Sequence, residues 1–208
     1  MIFQFAISIG LIVATVIVYQ QTQLLRGMDL GFDIDQKLAI IGVSSGEVAP
    51  MEDTIRQEMI AIPGVKGAAL STDELPLVFY NDMSIKVPSL NVTDGIDTDR
   101  IYIDTHFFDV YGIKPLAGRL YSEEFTADTL LIPEEEGVPW SRSAVVTESF
   151  VRAAGLSRAE ELLGEMLVVT DYGPNGEHLH ATVVGVVPAL PAWSAWRVSV
   201  SPSWWCFW

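Results

Sequence analysis

From Ile2 to Tyr19 the chain runs for eighteen residues without a charge, chiefly Ile, Val, Leu, Phe and Ala. As a helix rising ~1.5 Å per residue, this stretch spans roughly 27 Å, close to the hydrocarbon thickness of a bilayer. A soluble fold would have to bury such a helix on every side. A secretory leader would start with basic residues and end on a small-residue cleavage pattern. Met1-Ile2-Phe3-Gln4 carries no base, and Tyr19-Gln20-Gln21-Thr22-Gln23 shows no such pattern. The expectation is a retained transmembrane helix, continued through Gln20–Arg26 as a polar stalk and ended by Gly27 or Gly31. Helix and stalk together make a first segment, residues 1–28.

Helical angles divide this segment into faces. At ~100° per residue, Gln4, Ser8 and Thr15 fall in one narrow arc that Thr22 continues. Ala6, Gly10 and Ala14 form a second stripe at i, i+4, i+8. Small residues at this spacing let helices approach closely, and polar side chains in lipid seek partners on neighbouring helices. These six residues are the candidate helix-packing positions, and they point to a bundle with further membrane helices.

The remainder is acidic. Of 208 residues, 12 are Lys or Arg and 27 are Asp or Glu, for a formal charge of −15. All the acidic residues lie between Asp29 and Glu177. That balance excludes a nucleic-acid-binding role, whose affinity comes from neutralising phosphates. The single cysteine, Cys206, excludes an intramolecular disulfide and a cysteine-rich metal cluster. No GxxxxGK[ST] loop occurs, so nucleotide is not bound by that route.

Residues 29–187 read as one α+β domain. Leu38–Val43 is a short apolar run suited to a buried strand. Pro50, Glu52 and Asp53 open an amphipathic helix with Met51, Ile55, Met59 and Ile62 on one face, stopped by Pro63-Gly64. Val65–Ser71 then reads as a strand, completing a βαβ-type unit. A second unit starts with a strand at Arg100–Asp104 and a helix at Thr105–Tyr111, capped by Thr105 and ended by Gly112. Ser143–Thr147 reads as a strand entering helix Glu148–Ala154, with Gly155 beyond it. Met166–Thr170 and Thr182–Val187 flank the turn Tyr172-Gly173-Pro174-Asn175-Gly176. Residues 72–99 lack helical periodicity and suit a β-rich insertion, with Met83–Val87 as one strand.

Residues 188–208 depart from this pattern. Five of the six tryptophans lie between Trp193 and Trp208, and no acidic residue follows Glu177. The abrupt change points to a shift of reading frame after about Pro188; the alternative is an aromatic belt at headgroup depth.

Enzymatic chemistry finds little support. His178 and His180 would share one strand face near Asp171, a set able to bind zinc, but a solvent-exposed hairpin arm accounts for them. His106 suits a helix start. Ser71 and Ser149 lack a GxSxG elbow. Glu134-Glu135-Glu136 reads as a solvated loop. Asp94, Asp97 and Asp99 around Gly95 imitate a calcium loop without its closing glutamate. Asn91-Val92-Thr93 matters only in a eukaryotic secretory setting. No catalytic, metal or cofactor residues are expected.

Several segments, taken in order, resemble a known family. They are Phe3–Ile9 through Tyr19-Gln20-Gln21, Leu30-Gly31-Phe32-Asp33, Ile62-Pro63-Gly64-Val65, Phe107-Phe108-Asp109-Val110-Tyr111-Gly112-Ile113 leading into Ala117-Gly118-Arg119, Val145-Val146-Thr147-Glu148, and Val183-Val184-Gly185-Val186-Val187. Over residues 3–188 the chain resembles the MacB-type extracytoplasmic core domain of ABC-transporter permeases, the FtsX-like class. Thr147 stands where that family usually has asparagine, and the acidic, Phe-containing strand end expected after Val187 does not follow. The resemblance implies a fragment of a permease subunit in the bacterial inner membrane, its main domain periplasmic. It also implies a separate cytoplasmic ABC ATPase, other permease helices or a second permease copy, and a periplasmic partner protein. The competing expectation is a membrane-anchored ligand-binding or sensor ectodomain with no ATPase.

Overall fold

The computed structural model describes residues 2–27, 36–43, 51–72, 82–128, 138–170, 172, 178–189 and 197–200. The chain divides into two compact units, residues 1–30 and 31–208. In the first, helix α1 (Ile2–Gly27) is continuous through the expected stalk. Its apolar stretch Phe3–Leu24 covers 22 residues, none of them buried, and among the described residues it is the one helix long and apolar enough to cross a membrane.

The second unit is a mixed α/β domain built on a curled sheet. Its strands among the described residues are β1 (Asp82–Val87), β2 (Val92–Tyr102), β3 (Ala117–Gly118), β4 (Trp140–Thr147), β5 (Met166–Val169), β6 (Leu179–Val187) and β7 (Arg197–Val200). They are ordered β3-β6-β4-β7-β2-β1-β5, and β5 also pairs with β6. That last pairing closes β6, β4, β7, β2, β1 and β5 into a ring, with β3 attached to β6 outside it. Closure removes the free edges that an open sheet would offer for aggregation.

Strand alternation divides the apolar residues between two cores. Met83, Ile85 and Val87 of β1, Ala144 and Val146 of β4, Leu167 and Val169 of β5, and Leu179, Ala181 and Val183 of β6 share one cluster. Phe150 and Val151 join it from helix α4 (Glu148–Ala153), which follows β4. The chain runs from β4 through α4 and β5 to β6, which lies parallel to β4. On the other face Ile101, Val145 and Val187 pack with Phe107 and Phe108 of helix α3 (Phe107–Tyr111). Phe150 is wholly buried, so Phe150→Ala should lower stability by about 3–5 kcal/mol in denaturant unfolding.

Local expectations hold where a turn residue fixes the chain. Gly112 caps α3 in the left-handed conformation (φ 66°), and Gly155 (φ 81°) follows α4. The α3 entry differs: the His106 N–H is accepted by Asp104 Oδ1 at 3.1 Å, so Asp104 and not Thr105 holds the turn. The β1–β2 hairpin passes through a 3-10 turn, Pro88–Leu90, and Asn91 at φ 57°, a conformation asparagine tolerates. Strand β2 runs across residue 99, so residues 82–99 are continuous with the main sheet.

The first expected βαβ unit does not form. Leu38–Val43 is irregular and turn structure, with Leu38 and Ile41 more than four-fifths exposed. Helix α2 (Glu52–Ala61) is present, yet only Ile55 and Met59 of its expected apolar face are half-buried, while Met51 and Ile62 are exposed. Residues 65–70 lie outside any ladder, and Ser71 makes a single antiparallel bridge to Ile103. A short apolar run becomes a strand only when a neighbour supplies its ladder hydrogen bonds, and the ring is already closed without these two. Arg56 on α2 reaches Asp104 at 3.9 Å and Asp53 at 3.6 Å. Pro50 lies outside the described residues.

Part of the tail joins the sheet. Arg197–Val200 forms β7 between β2 and β4, parallel to the former and antiparallel to the latter.

Candidate functional site

Of the candidate helix-packing positions, all six lie on α1. Ser8 Oγ donates to the Gln4 carbonyl at 3.0 Å, and Thr15 Oγ1 to the Leu11 carbonyl at 2.8 Å, as Thr22 Oγ1 does to Val18. Their hydroxyl protons are therefore satisfied within the helix, leaving the oxygen lone pairs and the Gln4 amide as the polar groups a neighbour would meet. A Cβ added at Gly10 would meet nothing within 4 Å. Gly10 leaves a groove in the helix surface that nothing among the described residues fills.

In the second unit, two of the family-like segments meet. Gly118 of β3 pairs with Gly185 of β6. A Cβ on Gly185 would overlap the Arg119 carbonyl oxygen, and one on Gly118 (φ 70°) would overlap the Val184 carbonyl oxygen. Only a hydrogen fits at either position, which brings the Gly-Arg turn directly onto β6. The Arg119 guanidinium then grips Asp128 in a two-pronged bond, 2.6 Å from Nη1 and 2.8 Å from Nη2. Asp128 also accepts the Ser122 N–H at 2.9 Å, and Arg119 lies 3.8 Å over the Phe125 ring. Tyr121 Oη accepts the buried Val145 N–H of β4 at 2.9 Å. This is a structural clamp that fixes β3 and the following turn to the ring.

Burial opposes ionisation of Asp128, but hydrogen bonds from Arg119, Ser143 and the Ser122 N–H outweigh it and hold the carboxyl below its ordinary value. A depressed carboxyl contributes stability that is complete above the ordinary range, about pH 4, and is lost as pH falls through the lower folded value. Asp128→Asn should cost about 2 kcal/mol at neutral pH and lose that acid-side step in a urea-unfolding series against pH. Asp104 has the opposite sign: burial raises it above the ordinary value, against hydrogen bonds from the Leu70 and His106 backbone.

The remaining sequence candidates stay apart. His178 is exposed at the entry to β6 and His180 half-buried within it, while Asp171 and Glu134–Glu136 lie outside the described residues. Asp94 and Asp97 are exposed on β2 and Asp99 is buried. His106 faces Glu123 at 3.8 Å. Ser71 sits at the isolated bridge and Ser149 on α4. Among the described residues no group of three or more His, Cys, Asp or Glu is placed to hold a metal. Thr147 precedes α4 in extended conformation and makes no side-chain capping bond.

Sequence reasoning missed one polar cluster. Arg142 of β4 is 4% exposed. Arg100 of β2 stacks 5.2 Å from the Tyr102 ring centre and 5.1 Å from that of Tyr172. The two tyrosine hydroxyls are 2.8 Å apart, and Trp140 meets Tyr172 edge-on at 5.8 Å. Burial, then the neighbouring Tyr172, raises Tyr102 above the ordinary tyrosine value, so its hydroxyl stays protonated. Burial likewise lowers Arg142, against the pull of Tyr121, Tyr172 and Tyr102. The available signal was parity: Arg142 occupies the same face as Trp140, Ala144 and Val146.

No protein-family model and no curated protein matches the chain. Solved structures similar to it include the following three. The periplasmic region of MacB from Actinobacillus actinomycetemcomitans matches at 15% identity and a TM-score of 0.43, over 72% of this chain and 54% of that one. A domain of a permease protein from Porphyromonas gingivalis matches at 19% identity and 0.44, over 71% and 54%. The extracellular domain of the noncanonic ABC-type transporter YknZ from Gram-positive bacteria matches at 13% identity and 0.45, over 72% and 61%. The chain thus spans between 54% and 61% of the length of these domains. They are domains of the kind named by the sequence resemblance.

Proposed function

We propose that the chain is a membrane permease subunit of an ABC-type export or mechanotransmission system. On this reading α1 sits in the bacterial inner membrane and the ring domain lies outside the cytoplasm. A separate cytoplasmic ATPase supplies the conformational change, and α1 carries it along its axis. A helix transmits displacement while its hydrogen-bond ladder is unbroken, and α1 runs through its polar stalk to Gly27 without interruption. The observation that carries the reading is the apolar stretch Phe3–Leu24, none of it buried among the described residues. The chain itself performs no covalent chemistry; it couples.

Ala6, Gly10 and Ala14, with Gln4, Ser8 and Thr15, are the positions at which neighbouring permease helices or a second permease copy pack. Gly10→Leu should leave helix content unchanged and reduce crosslinking to other helices in membranes at least severalfold. Unchanged crosslinking would remove the stripe from the account. The full reading is tested by purifying the full chain from its native membrane in mild detergent. Stoichiometric recovery of a nucleotide-hydrolysing subunit supports it. A chain that behaves as a complete assembly without one supports the ligand-binding ectodomain instead, a reading favoured by the buried Arg142 and the half-buried Arg100.

A further inference from the structure

Strand parity places Trp140, Arg142, Ala144 and Val146 on one face of β4 and Ile96, Thr98, Arg100 and Tyr102 on one face of β2. Trp140, Ala144, Val146 and Ile96 belong to the core cluster shared by the ring strands, and Tyr102 and Tyr172 pack against it. Two guanidiniums therefore lie on the face that carries this core, Arg142 buried and Arg100 half-buried. Arg142 has its Nε and Nη2 buried without a hydrogen-bond acceptor, and Arg100 has its Nε in the same condition. Among the described residues no carboxylate pairs with either guanidinium.

The hydrogen-bond inventory of this cluster is one-sided. Arginine has five donors and no acceptor. Tyr172 takes a side-chain hydrogen bond from Arg142 and shares one proton with Tyr102, which leaves one tyrosine hydroxyl proton still to be given. The aromatic faces stabilise the positive charge but accept none of the remaining N–H groups. A buried, uncompensated charge is strongly unfavourable, and a ligand made only of acceptors with a negative charge removes both deficits together.

We infer that the Arg100, Arg142, Tyr102 and Tyr172 cluster is a binding site for a small carboxylate anion. A planar carboxylate offers two oxygens at the spacing of a guanidinium fork. A formal charge of −15 on the whole chain disfavours multiply charged anions such as phosphate more than a monoanion. Arg100, Tyr102 and Tyr172 are half-buried and Arg142 is 4% exposed, so the cluster joins the surface to the interior. This inference does not depend on the transporter reading.

The test is titration calorimetry of the full chain in detergent with acetate and benzoate. Phosphate and chloride at matched ionic strength serve as the comparison. Saturable carboxylate binding at one site is expected, weakened at least tenfold by Arg142→Met and by Arg100→Met. Methionine keeps most of the stem volume and removes the buried charge; should either variant fail to fold, Tyr172→Phe should still weaken binding severalfold. No carboxylate binding by the wild-type chain would overturn the proposal, as would equal binding by the folded variants. Tighter binding of phosphate than of acetate would overturn the carboxylate assignment.

Discussion

Gly185→Ala is expected to lower the stability of the ring domain by about 3 kcal/mol, with a fall in thermal midpoint of roughly 10 °C. The added methyl meets the backbone carbonyl of Arg119, and no rotamer change can move a backbone atom out of its way. Either β3 leaves β6 or β6 bends, and both displace Arg119 from Asp128, at present held by two hydrogen bonds. The loss should therefore be much reduced in an Asp128→Asn background, because the two substitutions share one clamp. Gly10→Ala in α1, where the new methyl meets nothing, is the control and should leave the midpoint in place. An unaltered midpoint for Gly185→Ala would mean that β3 does not lie against β6 as described.

Ending the chain after Val187 is expected to have an effect at least as large. Strand β7 aligns four residues with β2, from Asp99 to Tyr102, and two with β4, Val145 and Val146. Without it the ring opens, and two strands that carry wholly buried residues, Ile101 and Val145, acquire unpaired edges. The truncated chain should show a lower, broader unfolding transition and concentration-dependent association by light scattering. A transition as sharp and as high as that of the full chain would show residues 29–187 to be self-sufficient and β7 dispensable.

These two sites also mark where the sequence could be read and where it could not. Elements bounded by local chemistry were legible: Gly112 after α3, Gly155 after α4, the Thr182–Val187 part of β6, and the uncharged run of α1. The clamp residues fell within family-like segments, yet their contact could not be read, since Gly118 and Gly185 are 67 positions apart and meet only through sheet register. Leu38–Val43 has the composition of a strand but no partner ladder, and a strand cannot be stable alone. β7 failed in the reverse direction. Its tryptophan-rich surroundings carry no recognisable period, and its place is set by the gap between β2 and β4. Arg142 was overlooked because the strand was read as beginning at Ser143, whereas it begins at Trp140 and so carries Arg142 in parity with Trp140 and Val146.

The account rests on α1 residing in lipid, with its 22-residue stretch Phe3–Leu24 facing bilayer and neighbouring helices. Alkaline carbonate extraction of membranes containing the full chain tests this most directly, beside a variant lacking residues 2–24. The account predicts that the full chain stays with the membrane pellet while the variant is released to the supernatant. Release of the full chain, in a folded state that needs no detergent, would contradict it.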